Sequence, residues 1–135
     1  MPLIAVTRLR VRSWRYMAPF AWYAVRSRSQ ALHAPGNLGV AVRRSEGLTF
    51  WTVTAWTDES AMAAYRIAPP HRTVLPELRI WCDEASLAHW EQDSADLPNW
   101  ETAEKRMAES GRLSKVDHPS ADQLAGRLNF VRGNA

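Results

Sequence analysis

The side chains best placed to do chemistry lie at the midpoint of the chain. His71 follows Pro69-Pro70 at what reads as a helix start, with Arg72 beside it. An imidazole titrates close to working pH, so His71 is the candidate catalytic acid or base. A helix N-terminus there favours its neutral form. Arg72 has the planar fork that binds a carboxylate, although an ion pair with Glu77 is the commoner use of such a side chain. Trp51, Trp56, Tyr23 and Tyr65 are the candidate ligand-binding aromatics, each weighed against plain core packing. Trp51 and Trp56 fall on opposite faces of one strand, so only one of them can line a given cavity. Cys82 is followed by Asp83 and Glu84, whose charge disfavours a thiolate nucleophile. His89 and Trp90 alternate on a strand, where His89 reads as an interface or hydrogen-bonded residue.

Other chemistries are excluded by spacing. His33, His71, His89 and His118 lie far apart and Cys82 is the single cysteine, so no metal site is expected. There is no GxGxxG or Walker loop and no GxSxG elbow. The net charge of +3 favours solubility without a nucleic-acid signature. Nucleic-acid binding through Arg8, Arg10 and Arg12 is the weakest of three functional ideas, and carboxylate partners for those arginines would end it. With no disulfide, no leader-like apolar run and no span-length segment, a cytoplasmic protein without a membrane partner is expected.

The elements that must position these residues follow from periodicity. Ile4–Ser13 alternates apolar residues with arginines, a strand whose arginine face must meet solvent, carboxylates or a bound anion, an exposed face with snorkelling stems being the commoner case. From Pro19 to Pro35 apolar and small residues recur at helical spacing. Gly39–Arg43 and Leu48–Trp56 form a hairpin around Arg44-Ser45-Glu46-Gly47. Phe50 to Trp56 is apolar on both faces and so needs cover on both, which a second copy of the chain would supply. Asp58 caps a helix carrying Ala61, Met62 and Tyr65, which Pro69-Pro70 breaks. A further helical piece opens at Pro70 and runs to about Cys82, and Ala85–Glu91 is a fourth strand.

The order strand, helix, strand, strand, helix, strand is the split βαβ of an α+β, ferredoxin-like fold. Residues 1–92 form that core and 93–135 an appendix packed on the same domain. The appendix holds a helix over Glu101–Ser110 anchored by Trp100 and Met107, an extended run from Leu113 to Ser120, and loose residues from Gly133 to Ala135.

Phe50 to Trp56 with Thr57-Asp58-Glu59, then Pro70-His71-Arg72, Trp81 to Ala85, and His89-Trp90 resemble an uncharacterised bacterial family. That family is similar to the antibiotic-biosynthesis-monooxygenase-like proteins of the dimeric α/β-barrel superfamily, with spheroidene-monooxygenase-like relatives. The resemblance spans about residues 4 to 120. It implies a homodimer with two sheets face to face, and a cavity between sheet and helices in each subunit. It implies a monooxygenase-like activity on a flat apolar small molecule, with haem as a cofactor some relatives use and His71 as its candidate ligand. The cofactor-independent and haem-degrading members carry an Asn on the first strand and a Trp and a His on the second helix. Here the first strand has no Asn, Tyr65 stands near the place of the Trp, and His71 falls about one turn short, so that set is not carried over. The alternative is a non-catalytic small-ligand-binding or structural homodimer, in which the aromatics only build core and interface.

Overall fold

The computed structural model of the 135-residue chain describes residues 1–69 and 71–128, with His71 described in its backbone alone. The expectations placed on Pro70, on the His71 side chain and on Gly133 to Ala135 lie outside the described residues.

β1 (Leu3–Val11) is followed by a single 3₁₀ turn, Trp14–Tyr16, which runs into α1 (Met17–His33). Ser13 caps the turn through Arg15 N, and Pro19 falls within the first turn of α1, where its missing N–H leaves no bond unmade. The helix ends at Ala34, and Gly36 turns the chain with φ 85°. A side chain there would run into Ala61 and Thr57, so this turn needs glycine twice over. β2 (Asn37–Arg44) and β3 (Thr49–Trp56) make the expected hairpin. Asp58 accepts from Ala61 N to start α2 (Glu59–Ile67), and α3 (His71–Trp81) follows. β4 (Cys82–Glu91) begins three residues before the expected strand, because a register shift at Arg10/Val11 pairs Val11 with Cys82. The chain continues with α4 (Trp100–Ser110), β5 (Arg112–Leu113) and the single turn α5 (Ala121–Leu124).

The sheet is antiparallel in the order β2-β3-β1-β4-β5. α1, α2 and α3 cover one face, with Phe20, Ala31, Met62 and Leu78 packed against Leu3, Val11, Trp56, Cys82 and Ala85. The other face carries Ile4, Val6, Trp51, Val53, Ala55, Ala88 and Trp90, and Ala103 and Met107 of α4 are buried on it. β3 is therefore apolar on both sides, as its sequence demands. The second cover comes from the chain's own α4, where a second copy of the chain was expected to supply it.

The arginine row of β1 takes the carboxylate alternative in place of the commoner exposed one. Arg8 is only 8% exposed and donates to Glu84 Oε1 at 2.7 Å. Arg10 makes a two-pronged pair with Asp83 at 2.9 and 2.8 Å and lies 3.3 Å from Glu84. Register explains this: Arg8 and Arg10 sit opposite Ser86 and Glu84, so the early start of β4 brings two carboxylates alongside the guanidinium groups. Arg12 donates to Ile80 O and Tyr16 Oη, both at 2.7 Å. With Arg8 and Arg10 paired to carboxylates, the basis for a nucleic-acid surface on β1 is gone.

Candidate active site

A cavity of about 330 Å³ lies between the sheet and α1, α2 and α3. Its floor is set by strand register. Leu87, Thr7, Thr52 and Val42 form one row across β4, β1, β3 and β2, and His89, Ala5, Thr54 and Val40 form the next. These side chains share a face because strand residues alternate sides. Phe20, Phe50, Trp56, Leu75 and Leu78 supply apolar walls. The rings of Phe20 and Phe50 lie 5.1 Å apart, and those of Trp56 and Tyr65 also 5.1 Å. Trp56 Nε1 donates to Thr54 Oγ1 at 2.9 Å, which satisfies the buried indole and fixes its plane.

The polar part of the wall is a group of three hydroxyls. Tyr23 and Ser27 are one turn apart on α1, and Tyr65 reaches in from α2. Ser27 Oγ and Tyr65 Oη are 3.0 Å apart, and Ser27 also hydrogen-bonds the Tyr23 side chain. Gln30 ties the two helices together by donating to Tyr65 O and Ala68 O at 3.2 and 3.3 Å. Burial pushes the Tyr23 phenol up to about 12, with the Ser27 hydrogen bond opposing it. Burial raises the Tyr65 phenol as well. Both are neutral at physiological pH and so act as hydrogen-bond donors beside an apolar chamber. Burial, then Asp83, pushes the Cys82 thiol up to about 12, in keeping with an inert cysteine.

The aromatic candidates divide. Tyr23, Tyr65 and Trp56 line the cavity. Trp51 is 1% exposed on the opposite face, among the residues that α4 covers, so it is not part of this wall. Arg72 stands exposed on the first turn of α3 and outside the described lining. Position 71 begins α3, four and seven residues before the cavity-lining Leu75 and Leu78. Sequence reasoning missed Ser27, the threonine floor and the placement of His89 on the lining. For His89 the signal was there: it alternates with Leu87 on the face of β4 opposite Trp90.

Among the described lining residues the one imidazole is that of the exposed His89, and the two phenols are held protonated. The described residues hold no cluster that could bind a metal ion, and no described helix is long and apolar enough to cross a membrane.

No protein-family model matches the sequence, and no curated protein matches it. Solved structures do match the architecture. SnoaB of Streptomyces nogalater, a cofactor-independent oxygenase solved as its N63A mutant, is 18% identical, with 73% of this chain and 98% of that chain covered and a TM-score of 0.59. The chain has the antibiotic biosynthesis monooxygenase fold. A protein from Nitrosomonas europaea given the provisional name of antibiotic biosynthesis monooxygenase is 15% identical over 68% of this chain and 90% of that one, with a TM-score of 0.61. Rv0793 from Mycobacterium tuberculosis is 11% identical over 71% and 100%, with a TM-score of 0.64. At such identities the likeness establishes the ferredoxin-like monooxygenase fold and leaves the reaction open. These neighbours are covered almost whole, while more than a quarter of this chain lies outside each match.

Proposed function

We propose that the chain is a monooxygenase-like protein that takes a flat, apolar small molecule into the cavity under α1, α2 and α3. The observation that carries this is the Tyr23–Ser27–Tyr65 hydroxyl group on the wall of an otherwise largely apolar chamber of about 330 Å³. Small-ligand sites are of this kind, about 300–1,000 Å³, mainly apolar, with few converging polar groups.

In this reading Trp56 and Phe20 hold the plane of a ring system, and the neutral phenols donate to a ring oxygen. In the cofactor-free form of the reaction the substrate supplies every electron. A ring CH2 and O2 give a ring C=O and H2O, after the CH2 gives up a proton and the negative charge spreads onto the ring oxygen. Donors aimed at that oxygen stabilise the charge as it forms. His71, at the start of α3, enters as the proposed acid/base that takes the proton, with His89 on the lining as the second imidazole. Arg72 is proposed to steer an acidic substituent from outside the chamber.

The homodimer expected from the resemblance stays within the proposal through a surface other than the one α4 covers. A sheet-to-sheet pairing would need Ala103 and Met107 withdrawn from that face.

The test is oxygen uptake with an anthrone-type substrate, with one ketone formed per O2. Tyr65→Phe should slow the reaction by about 10²-fold, the usual effect of losing one such donor. His71→Ala should slow it as well. Wild-type protein that binds the substrate without oxygen uptake overturns the oxygenase half of the proposal, and protein that neither binds nor reacts overturns all of it.

A further inference from the structure

α1 has two apolar stripes, and only one of them is used by the fold. Phe20, Ser27 and Ala31 are buried against the sheet. Trp22, Val25 and Leu32 recur at helical spacing on the opposite side and are 68%, 67% and 46% exposed. The 3₁₀ turn that leads into this helix adds Trp14, 70% exposed. Each of the two tryptophans carries a guanidinium group. Arg26 lies 6.0 Å from the Trp22 ring and Arg44 5.9 Å from the Trp14 ring. Arg15 and Arg28 are exposed on the same segment, and no acidic residue precedes Glu46.

From this we infer that the outward face of α1, with the turn before it, docks on an anionic lipid surface. Indoles settle at the boundary between headgroups and acyl chains, and arginines beside them meet lipid phosphates. The sequence led to an expectation of no membrane partner because it holds no spanning segment. The outward stripe changes that, since it calls only for lying on the surface. Charge decides against a second copy of the chain as the occupant. Self-pairing would set Arg15 and Arg26 against their own images with no carboxylate on the stripe to offset them. Shape decides against an acidic protein, because a single helix ridge with projecting indoles calls for a groove, whereas a headgroup layer yields to it. Arg28 lies both on this helix and on the cavity lining, so the docked face adjoins the chamber. An apolar ligand could then pass between bilayer and cavity with little exposure to water. The inference stands without the catalytic reading.

The test is co-sedimentation of the full chain with phosphatidylcholine vesicles, with and without about a third phosphatidylglycerol. Binding is expected only with the anionic lipid, weakening as salt rises, and brominated lipid should quench tryptophan emission. Trp22→Ser and Arg26→Glu are exposed positions outside the cavity, so folding, followed by circular dichroism, should persist. Arg26→Glu should weaken binding at least fivefold, the effect of about one arginine at such a surface. Trp22→Ser should abolish the quenching due to that residue. No sedimentation with anionic vesicles overturns the inference, as does binding that both variants leave unchanged. Loss of a dimer in Trp22→Ser, or retention on duplex DNA without vesicle binding, would assign the face to a second copy or to nucleic acid and equally overturn it.

Discussion

Glu84→Gln should be the most damaging conservative change in the sheet. Glu84 is 3% exposed and is the shared acceptor for three groups: Arg8 at 2.7 Å, Ser120 Oγ at 2.6 Å and Arg10 at 3.3 Å. Glutamine keeps the shape but removes the charge. Arg8, with its side chain only 10% exposed, then keeps its charge without the matching carboxylate. Breaking a buried pair in this way costs about 3–5 kcal/mol. The low end applies here, about 3 kcal/mol, because glutamine still accepts one hydrogen bond. For a domain of this size that lowers the midpoint of thermal unfolding by roughly 10 °C. Arg8→Met should cost about half as much, because Arg10 remains to balance Glu84 and the methionine stem packs beside Trp51. The double variant should be less harmed than the two single changes added together, since each single change leaves behind what the other removes. Urea unfolding followed by circular dichroism gives all three values. A Glu84→Gln loss under about 1 kcal/mol, or strict additivity in the double variant, would refute the reasoning.

Met107→Ala on α4 should cost about 2–5 kcal/mol in the same assay, because Met107 is wholly buried in one cluster with Trp51 and Val53; an effect near zero would mean α4 leaves that face in solution. Stability should also fall in alkali. The Tyr23 phenol and Cys82 thiol titrate near 12 in the fold and near 10 and 9 when unfolded, so their contribution is whole below about pH 9 and is lost as pH rises towards 12. Urea midpoints across that window should drop, and Tyr23→Phe with Cys82→Ala should flatten the decline.

Local chemistry was legible in the sequence wherever a short pattern decides the structure. The alternation of Thr7, Leu9 and Val11, the Asp58 cap and the glycine-containing hairpin each give their element without further help. What the sequence left unread depends on which strands become neighbours. Nothing near Arg8 and Arg10 announces Asp83 and Glu84, more than seventy positions away, so carboxylates stood only as one of three possible partners and an exposed row as the commoner case. The start of β4 was missed for the same reason, since the charged pair at its head looks like a loop until those arginines are placed opposite. The site divides along this line as well. Tyr23, Tyr65 and Trp56, which line the cavity, could be named as candidates because large aromatics stand out on their elements. Ser27 and the threonines Thr7, Thr52 and Thr54 escaped notice because small hydroxyl residues become a site only once register and helix packing gather them.

The cover that α4 gives the sheet also fixes an order of events during synthesis. All four long strands are translated before residue 100, so the face bearing Trp51, Val53, Ala88 and Trp90 is complete before the helix that shields it exists. At about 5–20 residues per second, the twenty or so residues from Glu91 to Ser110 take a second or more to be made. During that interval a nascent chain presents a broad greasy surface to the crowded space around the ribosome. The eventual contact is short-range, since α4 folds back on the strand immediately before it, and such closures are fast once the segment is free. A pause after β4 has emerged from the ribosome and before α4 has followed it is therefore the point at which expression of this protein is most exposed to aggregation.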